Sequence, residues 1–167
     1  NIIGKDYVKI LTEFEENTEA LATQGSGDVK YHLGAAGVFR SDARKEILVS
    51  VVPNPSHLEL IDPIVEGMAR AAGTILDRAG APRFDPSASL PIVIHGDASF
   101  PAQGVVAETL NLALLAGYRT GGTLHIIANN QLGFTAEASE GRSTLYASDL
   151  ARGFRIPIVH VNADDPE

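Results

Sequence analysis

Ile92-Val93-Ile94-His95-Gly96-Asp97 and His125-Ile126-Ile127-Ala128-Asn129-Asn130-Gln131-Leu132 are the two stretches whose reading decides the fold. Each is a short, β-branched apolar run that stops abruptly at small polar residues. That is the pattern of a strand buried in a parallel sheet. Residues 104–118 between them read as a helix, so the whole makes one strand–helix–strand unit. Its right-handed crossover sets the two strand ends side by side. His95, Asp97, Asn129, Asn130 and Gln131 then gather where open α/β sheets bind their ligands. Asp97 offers a carboxylate oxygen and Asn130 an amide oxygen. With a backbone carbonyl they form a hard-oxygen set, suited to Mg²⁺ or Ca²⁺ rather than zinc. A plainer reading stands beside this one: Asp97 caps the turn after its strand, and Asn129-Asn130 form a turn.

Working outward, residues 47–52 read as another buried strand, ended by Pro53-Asn54-Pro55-Ser56-His57. Ser56 with Glu59 three residues on has the form of a capping box. It predicts a helix over roughly residues 58–76, weakened in its first half by Pro63 and Gly67, with His57 at its first turn. Residues 7–22 have a loose helical period with an acidic face. Residues 77–90, rich in Pro, Ala, Ser and Gly, read as a surface connection. Residues 133–143 read as a loop, with Gly141 and Arg142 near its end. Ser148 or Asp149 starts a short helix through Phe154, and residues 156–161 form the last of four strands.

Composition narrows the function classes. With 44% hydrophobic residues the chain can fill a core, and its net charge of −8 without any basic block argues against nucleic acid as a partner. No apolar run approaches the roughly 20 residues of a membrane helix. The absence of cysteine removes disulfides and thiolate ligands. No G-x-G-x-x-G follows a strand and no lysine-bearing phosphate loop is present, so a dinucleotide site is not indicated.

Gly96-Asp97 followed about thirty residues later by Asn129-Asn130 resembles the metal–diphosphate motif of thiamine diphosphate enzymes. More closely, the chain resembles the first, decarboxylating component of the 2-oxoglutarate dehydrogenase complex. The matching segments run collinearly. They are residues 25–34 (Gly-Ser-Gly-Asp-Val-Lys-Tyr-His-Leu-Gly), 54–59 (Asn-Pro-Ser-His-Leu-Glu), 95–100 (His-Gly-Asp-Ala-Ser-Phe), Gln103-Gly104, Glu108-Thr109 and Gly121-Gly122-Thr123. They continue through residues 129–135 (Asn-Asn-Gln-Leu-Gly-Phe-Thr), Gly141-Arg142-Ser143 and residues 160–167 (His-Val-Asn-Ala-Asp-Asp-Pro-Glu).

The resemblance implies an α/β, three-layer thiamine diphosphate-binding fold with a mostly parallel sheet. This chain would supply part of the diphosphate and Mg²⁺-binding domain. Asp97 and Asn130 would hold Mg²⁺ by side chain and Leu132 by its backbone carbonyl. His95, Gly96, Ala98, Ser99 and Gln131 would complete the cofactor-binding surface. His32 and His57 would be the catalytic histidines over the reactive ring. The reaction implied is oxidative decarboxylation of a 2-oxo acid, the cofactor accepting the electron pair. The acyl group then passes to the lipoyl arm of a second component. The family subunit is a homodimer, found in the mitochondrial matrix of a eukaryote or the cytoplasm of a bacterium.

By the same comparison the aminopyrimidine-binding and C-terminal domains lie outside these residues, so the chain reads as a piece expected to be inactive by itself. Pro101-Ala102 and Ala136-Glu137-Ala138-Ser139 depart from the family pattern. Residues 98–100 and 131–146 are similar to the branch acting on 2-oxoadipate, whereas the body of the family acts on 2-oxoglutarate. A pocket separates the two by only about 1–3 kcal/mol, the worth of one methylene. 2-Oxoglutarate is the expected substrate, with 2-oxoadipate, or a non-catalytic cofactor-binding or structural subunit, as alternatives.

Overall fold

The computed structural model describes residues 3, 6–8, 11, 32, 34–41 and 45–166, and the chain divides into two units, Asn1–Ser56 and His57–Glu167. Most of the helix expected over residues 7–22 and most of the segment 25–34 lie outside the described residues.

In the first unit, β1 (Ala35–Arg40) and β2 (Glu46–Val51) pair antiparallel, with Ala35 opposite Val51 and Arg40 opposite Glu46. Arg40 Nε donates to Glu46 Oε1 at 2.8 Å, at the end where residues 41–45 connect the strands. This corrects the reading of residues 47–52 as a buried strand. β2 is one arm of a hairpin, and Ile47 and Leu48 are exposed. Its partner β1 carries two alanines and Gly37, residues of low strand propensity. A Cβ on Gly37 would stand 2.5 Å from the Ile3 carbonyl oxygen, so the strand's weakest residue is where another backbone passes close.

The second unit begins with α1 (Asp62–Ala72), followed by the short antiparallel pair β3 (Thr74–Ile75) and β4 (Arg83–Phe84). The helix starts four residues later than expected, without a side-chain cap from Ser56. Pro63 lies in its first turn, where the missing N–H costs nothing, so the proline begins the helix rather than weakening it. Glu59 takes φ +69°, a left-handed conformation a glutamate rarely adopts, and turns inward instead of completing a capping box.

β5 (Ile92–Gly96), α2 (Ser99–Ala102), α3 (Gly104–Leu112) and β6 (Leu124–Ala128) build the expected central unit. β5 and β6 are parallel, with Gly96 beside Ala128. Phe100 of α2, Val106 and Leu110 of α3, and Ala151 of a 3₁₀ helix (Ala147–Phe154) form the core over them. α3 ends at Leu112 rather than near Tyr118. Leu114 beyond it stays exposed, so no packing face holds further turns.

Two more expectations are corrected. β5 is covered on one face only: Val93 and His95 are buried, whereas Ile94 is 70% exposed. Residues 156–161 form no strand, because among the described residues no neighbouring strand pairs with them. The described strands pair into four separate two-stranded sheets rather than one mostly parallel sheet. Only β5–β6 is parallel, and the others are antiparallel, including β7 (Leu132–Gly133) with β8 (Ala136–Glu137).

The register of β6 is fixed from α1. Thr120 and Thr123 donate their hydroxyls to the two oxygens of Glu66, at 3.0 and 2.6 Å, on either side of Gly121-Gly122. Gly121 has φ +101°, and a Cβ there would meet the Pro86 side chain at 2.5 Å. Glycine is required on both counts.

Candidate active site at the ends of β5 and β6

Strand parity carries Val93, His95 and Asp97 to the covered side of β5. Asp97 follows the last paired residue and is 1% exposed. Its Oδ2 accepts from Arg142 Nη1 at 3.0 Å, and the Arg142 side chain is itself only 9% exposed. Asp97 Oδ1 is buried and has no hydrogen-bond partner among the described residues. An unsatisfied carboxylate oxygen away from water is costly, and a cation there would satisfy it.

Beside it, the register puts Asn129 immediately after β6. The amide oxygens of Asn129 and Asn130 accept from the backbone N–H groups of Gln131 and Leu132, at 3.3 and 3.0 Å. Both asparagines therefore form the turn allowed by the plainer reading. Gln131, at φ +60°, is its left-handed residue. A single N–H leaves the Asn130 oxygen a second lone pair. The chain then returns to Asp97. A Cβ on Gly133 of β7 would lie 3.2 Å from the Ala98 Cβ. The donors gathered in this region are oxygens, the kind Mg²⁺ takes.

The segment after Thr135, which departs from the family pattern, is ordered. β8 leads into α4 (Ala138–Gly141), closed by a capping box in which Glu140 Oε2 accepts from the Glu137 backbone N–H at 3.0 Å. α4 delivers Arg142 to Asp97.

A second buried cluster was not visible in the sequence. His95 Nδ1 donates to Glu59 Oε2 at 2.5 Å, and Ser99 Oγ donates to Glu59 Oε1. His95 Nε2 meets His125 Nδ1 at 2.9 Å, and the two rings stack. Asp62 Oδ2 stands 3.9 Å from His95 Nδ1. Burial alone would raise the Glu59 pKa, but the hydrogen bonds from His95 and Ser99 and the His95 charge outweigh it, and the carboxyl is held below its usual range. Asp62 goes the other way. Burial, opposed by His95 and reinforced by the Glu59 charge, pushes it up to about 7. Burial first, and His95 second, bring His125 down to about 4. Two carboxyls facing one imidazole are thus separated into an anion and a group that keeps its proton up to about neutrality. The sequence alone puts Glu59 at the third position of a capping box opened by Ser56. The signal that could have placed it is strand parity, which puts His95 inside and so demands a buried partner.

Ser99 and His95 thus act within this cluster, which ties α1 to β5 just ahead of Asp97. His32, in the first unit, is half-buried, with Nε2 and Ser56 Oγ 2.8 Å apart. His57, in the second unit, is exposed and donates from Nδ1 to the Leu58 carbonyl at 3.2 Å.

A family model described as "Dehydrogenase E1 component" matches residues 6–167. The chain belongs to this family. Among relatives, the 2-oxoglutarate dehydrogenase E1 component of Bacillus pumilus is 54% identical over 177 residues, covering all of this chain and 19% of the relative. The protein of the same name from Bacillus subtilis is 52% identical, with the same coverage. The multifunctional 2-oxoglutarate metabolism enzyme of Mycolicibacterium vanbaalenii is 55% identical over 168 residues, covering all of this chain and 13% of the relative. The chain thus spans about one fifth or less of the length of these E1 family relatives. No described helix is long and apolar enough to cross a membrane.

Proposed function

We propose that this chain forms the diphosphate and metal side of a thiamine diphosphate site. Its parent protein would decarboxylate 2-oxoglutarate and pass the acyl group to a lipoyl-bearing second component. The observation that carries the reading is the buried Asp97 Oδ1, without a hydrogen-bond partner among the described residues, at the end of β5 beside the Asn129–Leu132 turn. The family match and the 2-oxoglutarate names of the relatives support the substrate class. A 2-oxoadipate substrate gains no support from those names.

In this reading Asp97 and Asn130 hold Mg²⁺ by side-chain oxygens and Leu132 by its carbonyl, within a three-layer α/β domain. The bound cofactor supplies the electron sink for loss of carbon dioxide. The protein's share is charge neutralisation, orientation and exclusion of water. Gly96, Ala98, Ser99 and Gln131 would shape the two turns beside the diphosphate, with His95 supporting them. His57, whose Nδ1 lies 3.2 Å from the Leu58 carbonyl oxygen, would offer Nε2 to substrate as a hydrogen-bonding and proton-handling group. His32 serves the same chemistry, and the parent subunit acts as a homodimer.

The test uses the full-length parent. Thiamine diphosphate retention is measured by equilibrium dialysis with Mg²⁺ and with chelator, for wild type and Asp97→Ala. Carbon dioxide release from 2-oxoglutarate is followed with an artificial electron acceptor. Metal-dependent retention and turnover in wild type, both lost in Asp97→Ala, are expected. Undiminished retention in the variant would overturn the assignment of Asp97.

A further inference from the structure

The Asp97–Arg142 contact calls for an explanation that stability does not supply. Both side chains are nearly buried, 2% and 9% exposed. Withdrawing two charges from water costs several kcal/mol per ion, and their attraction often no more than offsets it. The carboxylate is also satisfied unevenly, with Oδ2 held by the guanidinium and Oδ1 without a hydrogen-bond partner among the described residues. A carboxylate fixed through one oxygen has its rotation stopped, so the other oxygen points in one direction.

Arg142 also has a place in the chain that matters. The segment from Asn130 runs through β7, β8 and α4 and ends at Arg142. Its beginning abuts the turn after β5, where Gly133 meets Ala98. Its end is tied to the same turn by the ion pair. The loop that carries Asn130 and Leu132 is thereby closed at both ends against the turn that carries Asp97.

We infer that Arg142 is a positioning residue for the metal–diphosphate site. It holds Asp97 Oδ2 so that Oδ1 is presented to the cation, and it fastens the segment that carries Asn130 and Leu132. The inference rests on the reading of Asp97 as a cation ligand. Hydrogen-bonded partners behind a ligating carboxylate orient it, and removing one typically lowers metal affinity about 10–100-fold. The opposite role, a placeholder that occupies the cation's position and must be displaced, predicts the opposite sign.

The experiment uses the full-length parent as wild type, Arg142→Met and Arg142→Lys. Mn²⁺ affinity in the presence of thiamine diphosphate is read by electron paramagnetic resonance, and thermal midpoints are recorded in chelator. Arg142→Met should bind Mn²⁺ about 10–100-fold more weakly. Arg142→Lys, which restores a charged donor, should recover part of that loss. Affinity in Arg142→Met equal to or tighter than wild type would overturn the inference, tighter binding pointing to the placeholder. If Arg142→Met does not fold, Arg142→Gln, which keeps an N–H donor without the charge, decides in its place: severalfold weaker binding supports the role, and wild-type affinity overturns it. Wild type that binds thiamine diphosphate without any metal dependence sinks the proposed function and this inference together. Metal-dependent wild type with an unaffected Arg142→Met sinks only the inference.

Discussion

Glu59 and His95, 36 residues apart in sequence, meet at 2.5 Å where neither side chain reaches solvent. The contact is made by a glutamate in a left-handed conformation, which costs of order 1–3 kcal/mol. The strain is offset by a charge-assisted hydrogen bond between the entrance of α1 and the end of β5.

Truncating one member of such a pair leaves the other buried and uncompensated. Glu59→Ala should lower stability by about 3–5 kcal/mol. Glu59→Gln, which keeps an acceptor oxygen, should cost less. Chemical denaturation of the parent protein measures both. A loss under about 1 kcal/mol for the alanine variant would mean that the contact contributes little beyond an exposed pair.

His125 is held down to about 4, by burial and then by His95. The folded state prefers its neutral form. Its contribution to stability is therefore fully present above the ordinary value of 6.5 and is lost as pH falls through about 4. Hydrogen exchange at the imidazole C2 position, read by mass spectrometry, reports individual histidines. His125 should remain neutral at pH 5, and a midpoint near 6.5 would contradict the arrangement.

Asp62 carries the opposite sign. Its carboxyl is pushed up to about 7, so the folded state prefers the protonated form. Its contribution to stability falls as pH rises from the ordinary value of 3.8 through about 7, and is constant beyond. Asp62→Asn removes that decline. The thermal midpoint of the variant should gain on wild type progressively between pH 4 and pH 8. A constant difference across that range would show that Asp62 does not titrate as described.

Gly121→Ala meets two obstacles, a φ of +101° and the Pro86 side chain. The conformational part alone costs of order 1–3 kcal/mol. The expected result is a lower melting temperature, whereas Gly122→Ala, with nothing within 4 Å of its Cβ, should be milder because it meets only the backbone strain. Equal effects would remove the role given to Pro86.

The central unit was legible because β-branched runs, an intervening helix and polar strand ends repeat one signal at several levels. Ile92–Gly96 and Leu124–Ala128 pair as read, and Asp97 and Asn129 fall at neighbouring ends. What escaped depended on distant partners. Glu59 reads as the partner in a capping box because Ser56 stands three residues before it, and nothing local announces a left-handed turn. Residues 156–161 have strand composition, but a ladder needs a neighbour, and the described residues supply none. β1 was missed because alanine and glycine hide a strand whose ladder comes from its partner. Arg142 was visible within Gly141-Arg142-Ser143 but not its contact, because charge pairing across 45 positions leaves no periodicity to read.

The two oxygens of Glu66 each receive a threonine hydroxyl, one from either flank of the Gly121-Gly122 turn. The side chain therefore works as a ruler as well as an acceptor. Aspartate, one methylene shorter, keeps the charge but cannot span both threonines from the same helix position. Glutamine keeps the length but turns one acceptor into a donor facing a hydroxyl. No ordinary replacement preserves both properties. In a saturation mutagenesis survey this partly exposed position should tolerate little besides glutamine, whose amide can donate to one threonine hydroxyl oxygen, and would be mistaken for a contact with substrate. Its intolerance would instead record the dimensions of a turn.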